Sequence, residues 1–271
     1  MKLQIETYHG CNARCSICTI NRWTRPKGPI DDALFQIIVE QALELPDLEV
    51  VSLYMDGEPL LDKNIVQRIQ QCKTLSLPHI GFSSNASLLT RENSIALLEA
   101  GQDWIAISLD SMDAASFEGV RKRLDHATVV KNVHSLIEER DKRNSDMEIA
   151  LRYLAHDDNA QTFDEYEEYW KKYLRDTDKL INVHCHNWGE DGDTSDVIST
   201  NCCEHPFTNM VVLSDGTVPM CCVDYNAEMT MGHVQEQTLL DIWNGEAFNR
   251  IRTIHTEGQR NTISRCKNCT V

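Results

Sequence analysis

The sequence predicts an α/β fold: a partial barrel of six strand–helix units, followed by a small second domain. Short runs rich in β-branched and aromatic residues alternate with helical stretches from residue 2 to about residue 186. Six units are too few for a closed eight-fold barrel, which leaves an open or partial one. From "NWGEDGDTSDVISTN" (187–201) the composition turns to Gly, Asp, Ser, Thr and Asn. That stretch reads as a boundary, so 1–186 and 187–271 are expected to be separate domains.

In chain order the expected strands are "LQIETYH", "EVVSLYM", "HIGFSS", "WIAISLD", "MEIALRYL" and "LINVHCH". Between them, "DDALFQIIVEQALEL", "NIVQRIQQCKTL", "TRENSIALLEAG" and "DEYEEYWKKYLRD" read as helices, the last with a stripe of Phe163, Tyr166, Trp170 and Tyr173. Beyond the boundary, "MVVLSDGTVPMCCVD" reads as a hairpin turning at Asp215-Gly216, and "TLLDIWNGEAFNRIRTIH" as helical.

Barrel strands turn alternate residues inward, and the set lying under helices is apolar. In "MEIALRYL" that rule puts Met147, Ile149, Leu151 and Tyr153 outward and Glu148, Ala150 and Arg152 inward. In "LINVHCH" it sends Ile181, Val183 and Cys185 outward and Asn182, His184 and His186 inward. Ser108 and Asp110 of "WIAISLD" also face in. A polar interior of this kind is a chemical chamber, which β/α barrels open at the carboxyl ends of their strands.

Composition excludes several function classes. The net charge of −16 opposes a nucleic-acid backbone as partner. No secretory signal and no apolar run of about 18 residues is present, so no membrane span is expected and a cytoplasmic setting is. Eleven cysteines in such a setting point to metal or redox chemistry rather than disulfides. Cys72, on a predicted helix, reads as a small core residue.

"GCNARCSIC" spaces Cys11, Cys15 and Cys18 as C-x3-C-x2-C directly after the first strand. Structural zinc takes four closed ligands, whereas three cysteines suit a [4Fe–4S] cluster with one iron open to another ligand. A zinc site completed by His9 or a later cysteine is the alternative.

Together with "MDGEPLL" (55–61), "SSNASLLT" (83–90) and "ISLDS" (107–111), the cysteine loop resembles the radical S-adenosylmethionine (radical SAM) enzymes. The resemblance implies a TIM-like partial barrel and a cluster whose open iron chelates the amino and carboxylate groups of S-adenosylmethionine. Gly57, Glu58 and Pro59 match the family's Gly-Gly-Glu-Pro segment, with Asp56 in place of the first Gly, and Glu58 is expected at the methionyl amino group. Asn85 lies in a stretch similar to the family's Thr-Asn-Gly-x-Leu-Leu-Thr. Ser108 falls on the strand that meets the ribose and methionyl group. Ile17 stands where the family commonly has an aromatic residue, so only its backbone is expected to meet adenine. Arg152 occupies a strand position where the family often places a basic group for the cofactor carboxylate or the substrate.

Cys203, Gly216 and Cys221 fit the C-x(9–15)-G-x4-C pattern that opens the family's auxiliary (SPASM-like) cluster domain. "CKNC" adds Cys266 and Cys269. With the chain stopping at Val271, this resembles the short twitch version, holding one four-cysteine [4Fe–4S] cluster. Cys202 or Cys222 could replace its neighbour as ligand; on a strand, Cys222 would face away from Cys221.

The resemblance implies reductive cleavage of S-adenosylmethionine to a 5′-deoxyadenosyl radical, with a flavodoxin- or ferredoxin-type reductant as partner. Length and a single short auxiliary domain resemble the branch that oxidises an aminocyclitol alcohol. The expected reaction is oxidation of a secondary alcohol of a cyclitol or sugar to a ketone, the auxiliary cluster taking an electron. Arg152, with Glu148 or His184, is expected to assist deprotonation. The rivals are a peptide-modifying maturase, a radical epimerase with Cys222 as thiol donor, and a non-catalytic iron–sulfur or zinc protein.

Overall fold

In the computed structural model, which describes residues 1–155, 159, 161–185, 187–188 and 202–270, each of the six expected runs forms a strand. The strands are β1 (Lys2–Ile5), β2 (Tyr8–His9), β3 (Gly28–Pro29), β4 (Val50–Ser52), β5 (Ile80–Ser84), β6 (Trp104–Asp110), β7 (Glu148–Ala155), β8 (Lys179–His184), β9 (Asn209–Val212), β10 (Thr217–Pro219) and β11 (Thr230–His233). The helices are α1 (Asp32–Ala42), α2 (Ile65–Thr74), α3 (Arg91–Glu99), α4 (Ala114–Val120), α5 (His126–Lys142), α6 (Phe163–Trp170), α7 (His205–Thr208), α8 (Leu239–Asn244), α9 (Glu246–Thr256) and α10 (Ser264–Lys267). His186 and most of the 187–201 boundary stretch lie outside the described residues.

Contacts divide the chain into two units, one of residues 1–9, 22–56 and 186–271, the other of 10–21 and 57–185. In the second unit β5, β6, β7 and β8 pair in parallel, each with the next. Parallel pairing demands a crossover between strands, and α3, α4, α5 and α6 supply it. These helices start where a side chain takes up an orphan N–H: Thr90, Asp113, Asp125 and Thr162 each accept from a backbone N–H three residues on. Such caps are worth about 1 kcal/mol each. Ile105, Ile107, Leu109, Ile149 and Leu151 are fully buried, the double-sided burial that parallel strands require. Gly81 faces Trp104 across β5 and β6, and a Cβ there would stand 2.5 Å from the indole ring. Where α5 ends, Arg140 clamps Asp178 through two bonds of 2.6 and 2.7 Å, both side chains wholly buried. Asp178 also accepts from Ile149 N at 2.9 Å, so one carboxylate ties α5 to the start of β7.

In the first unit β1 lies between β4 and β9, parallel to both. Here the hairpin reading is corrected. The turn at Asp215-Gly216 exists, with Gly216 at φ +90° and Gly216 N bonded to Leu213 O at 2.9 Å. Yet β9 before it pairs with β1, while β10 after it pairs antiparallel with β11. The apolar run Met210–Leu213, buried throughout, fits a parallel strand better than a two-stranded ribbon. The stripe ending at Tyr173 is also shorter than expected, because α6 stops at Trp170 and leaves Tyr173 exposed. Cys72 is fully buried on α2, as a small core residue would be.

Candidate active site

Cys11, Cys15 and Cys18 occupy a loop of the second unit fastened to the end of α4. Arg14 N donates to Lys122 O and Ser16 N to Val120 O, each at 2.9 Å. Ala13 N turns back onto Cys11 Sγ at 3.4 Å. Burial pushes the Cys11 thiol up to about 11, and the nearby charges of Glu58 and Cys15 push the same way. A buried thiol of this kind gives up its proton to a metal, whose charge replaces it.

The Gly-Glu-Pro segment meets this loop through its backbone and its carboxylate. Glu58 N donates to Gly10 O at 2.8 Å. Its side chain, 2% exposed, accepts from Ser84 Oγ and Asn85 N, both at 2.8 Å, and from Leu60 N at 3.1 Å. Burial raises the Glu58 pKa and these donors oppose it. Three donors on one carboxylate make Glu58 a brace between the segment and the carboxyl end of β5. Asn85 continues the chain of contacts: its Nδ2 donates to Asn12 Oδ1 at 3.0 Å and lies 3.7 Å from Cys11 Sγ. Asn12 in turn donates to Ser87 Oγ at 2.8 Å. Gly57 is half-buried, Pro59 opens the short helical turn after Glu58, and Ile17 is half-buried in the cysteine loop.

The carboxyl end of β6 supplies a second approach. A register shift between Ser108 and Asp110 breaks the ladder, and Asp110 adopts φ +56°. That turn aims Asp110 at Arg121, whose Nη2 donates to it at 2.9 Å while Nη1 reaches Cys15 Sγ at 3.7 Å. The sequence reading missed Arg121, which joins the site from beyond α4 without any local pattern. Arg152 stands beside Ser108 in the β6–β7 register, half-buried and with no hydrogen-bond or ion-pair partner among the described residues.

Two expectations are corrected. Glu148 begins β7 and pairs with Lys179 Nζ at 2.8 Å, at the amino end of the strands. Alternation placed it on the same face as Arg152, but four residues of strand separate them by about 13 Å. Cys185 lies exposed just past β8, where alternation no longer governs. Its thiol is raised first by burial and then by the charge of Asp110, with Arg121 opposing, so it lies on the side of that ion pair. His184 ends β8, exposed, opposite Ala155.

The first unit holds the other cysteines. A partly open cavity, about 330 Å³ including its mouth, is lined by Cys203, Cys221, Cys222, Cys266 and Cys269, with His255 and Arg260. Of the first doublet, Cys203 lines it, whereas Cys202 does not and is exposed. The second doublet sits in a turn after β10, not on a strand, so Cys222 does not face away as expected. Cys221 packs with Cys266 against Met220, Ile251 and Ile263, while Cys222 packs on Met55, Val211 and Leu213 with His205 Nδ1 at 3.7 Å. Burial pushes the Cys266 thiol up to about 12 and raises the Cys221 thiol well above its ordinary value. Thiols gathered in one cavity, Cys266 and Cys269 buried and Cys203 and Cys221 part-buried, fit a cluster whose irons would hold them as thiolates. Among the described residues no three His, Cys, Asp or Glu side chains converge as a single metal ion would need, so the cluster reading rests on the donor set and the family.

Beneath β1, Glu6 is wholly buried and takes Arg25 in a fork of 2.8 and 2.7 Å, with Ser214 N at 2.9 Å. Burial alone would raise Glu6, but His9 and Arg25 overcome it and hold the carboxyl near 2. Asp56 lies close to this pair. Its Oδ2 is enclosed without a hydrogen bond, and burial, reinforced by Glu6, lifts its pKa well above the usual carboxylate range.

A radical SAM superfamily profile matches residues 5–168, and an iron–sulfur cluster-binding domain, SPASM, matches 202–270. The S-adenosyl-L-methionine-dependent 2-deoxy-scyllo-inosamine dehydrogenase of Niallia circulans is 26% identical over 270 residues, 98% of this chain and 91% of its own. The crystal structure of BtrN in complex with AdoMet and 2-DOIA superposes with a TM-score of 0.68 at 22% identity, over 100% of this chain and 92% of that one. Streptococcus suis SuiB bound to precursor peptide SuiA gives 0.68 at 16% identity, over 99% of this chain and 69% of that one. At these identities the structures share the fold and no more. The three-thiol loop braced by Glu58 and the four-thiol cavity thus have their place: the chain belongs to the radical SAM superfamily, with S-adenosylmethionine and [4Fe–4S] clusters as its cofactors and a C-terminal SPASM domain.

Proposed function

We propose that this chain oxidises a secondary alcohol of a cyclitol or sugar-like molecule to a ketone. When bound, the cofactors supply a 5′-deoxyadenosyl radical that removes the carbinol hydrogen and a second cluster that takes the remaining electron. The hydroxyl proton is the protein's share. Arg152, whose guanidinium offers donors and no acceptor, steadies the departing alkoxide or the cofactor carboxylate by charge and hydrogen bonds. His184 is the group at a strand's carboxyl end able to receive the proton. Gly57, Pro59, Asn85, Ser108 and the backbone of Ile17 hold S-adenosylmethionine, and Glu58 fixes the segment that meets its amino group.

One observation carries the reading. The C-terminal cavity gathers five thiols, enough to close a four-cysteine set at Cys203, Cys221, Cys266 and Cys269 with Cys222 beside it; such a set would leave no vacant iron for substrate and suits an electron acceptor instead. Similarity to the inosamine dehydrogenase along 98% of the chain supports the substrate class. We assign 1–186 and 187–271 as the functional division, with a flavodoxin- or ferredoxin-type protein as reductant, in a cytoplasmic setting that keeps thiols reduced. No helix of the described residues is long and apolar enough to cross a membrane.

The test is anaerobic reconstitution, then incubation with dithionite, S-adenosylmethionine and a panel of aminocyclitols and sugars that includes 2-deoxy-scyllo-inosamine. Ketone and 5′-deoxyadenosine in equal amounts support the proposal. Inversion without change of mass would assign an epimerase. Turnover only with a peptide would assign a maturase. Bound zinc, or intact clusters without cofactor cleavage, would defeat all three.

A further inference from the structure

Two buried side chains in the wall of the C-terminal cavity are not ligands. His255, on α9, is 2% exposed, and its Nδ1 accepts the Cys203 backbone N–H at 3.4 Å. An imidazole nitrogen that accepts an N–H carries no proton, so the ring's proton is on Nε2. Nε2 lies 3.7 Å from Cys266 Sγ, within reach of an N–H···S bond. The backbone thus fixes the tautomer that points a donor at the sulfur. Arg260, 4% exposed, donates from Nη2 to Cys269 O at 3.0 Å, and its charge acts on the thiols of Cys203 and Cys266. Asp224 opposes it from the other side, acting on Cys221 and Cys266 while its own carboxylate is engaged by Glu228 N and Met229 N at 2.9 Å.

We propose that His255 and Arg260 are positioning residues that raise the reduction potential of the auxiliary cluster, His255 by donating to the Cys266 sulfur and Arg260 by its buried charge. The proposal rests on the reading that the cavity holds a cluster. Hydrogen bonds to ligand sulfur and net charge are two of the levers that set an iron–sulfur potential. Each electron added makes the cluster more negative, so a donor and a cation beside it favour the reduced state. That bias is what an acceptor needs, and Asp224 limits it. The N-terminal loop has an arginine too, but there Asp110 pairs with Arg121 directly, so less of its charge reaches the sulfur.

The test uses the full chain with Cys11, Cys15 and Cys18 replaced by Ala, so that only the auxiliary cluster contributes. Iron and sulfide content is measured first; a chain that takes up none refutes the cluster reading itself. Where iron is bound, the midpoint is found by titration followed by electron paramagnetic resonance. H255L and R260M should each lower it by at least a tenfold change in the oxidised-to-reduced ratio, 59 mV for one electron. R260K, which keeps the charge, and H255Q, which keeps a donor, should stay closer to the parent. An unchanged midpoint in H255L and R260M at full iron content overturns the proposal. If H255L loses iron, pulsed resonance of the parent cluster with ¹⁵N-labelled histidine, in an H205N background, decides. A histidine nitrogen coupling supports the bond to Cys266, and its absence overturns it.

Discussion

The loop at Cys11, Cys15 and Cys18 offers three thiols on a short loop of the second unit, whereas the cavity at Cys203, Cys221, Cys266 and Cys269 gathers four from segments up to 66 residues apart in the first. The loop is held by polar contacts, from Glu58 through Asn85 and Asn12 and from Asp110 through Arg121. The cavity is walled by Met220, Val223 and Pro206 as well as its cysteines, and its polar side chains are few. An incomplete set in a polar frame leaves a metal open to chemistry. A complete set in an apolar frame protects a metal from everything but electrons.

Predictions that would break this contrast begin with the largest. Replacing Cys15 with Ala should abolish 5′-deoxyadenosine formation, a loss of about a thousandfold or more, while iron at the C-terminal site persists; high-performance chromatography and iron analysis check both. Replacing Cys266 with Ala should instead remove ketone yet leave measurable cofactor cleavage. If both functions vanish together in a soluble, folded C266A protein, the division of labour is wrong.

Asp110→Asn strips the partner from a buried arginine and should destabilise the second unit by about 3 kcal/mol, read from urea unfolding. It should also weaken cofactor binding, because Arg121 would no longer be held on Cys15. The smallest effects come from residues away from both sites. Glu148→Gln, at the wrong end of β7, and Cys202→Ala, outside the cavity, should each leave turnover within about twofold of the parent, as surface changes usually do. A tenfold loss in either would reopen the assignment of that end or that ligand.

The residues that were legible in the sequence are those whose partners are near in the chain. Three cysteines within eight residues define a loop without help from the fold. Gly57–Pro59, Asn85 and Ser108 were found because family patterns mark them. Arg121, His255 and Arg260 escaped because each acts at a sulfur brought by tertiary contact, and nothing around an Arg or His announces that. Alternation along β7 grouped Glu148 with Arg152 but could not show that Glu148 lies at the amino end, since a two-residue period says which side a residue faces and not how far along the strand it lies. The Asp215-Gly216 turn was local and readable, but the partner of β9 is some 200 residues upstream, beyond the reach of any turn rule.

β9 beside β1 has a consequence for how the molecule is made. Lys2–Ile5 is synthesised some 200 residues before Asn209–Val212, the strand that pairs with one of its flanks. At about 5–20 residues per second that flank stays open for roughly 10–40 s of translation. For that interval a strand whose Leu3 and Ile5 belong in the core presents unanswered N–H and C=O groups to any passing chain. Maturation of this protein is therefore a race between its own elongation and aggregation, and slowing synthesis in the cell should cost soluble yield more than it does for a protein whose strands pair with near neighbours.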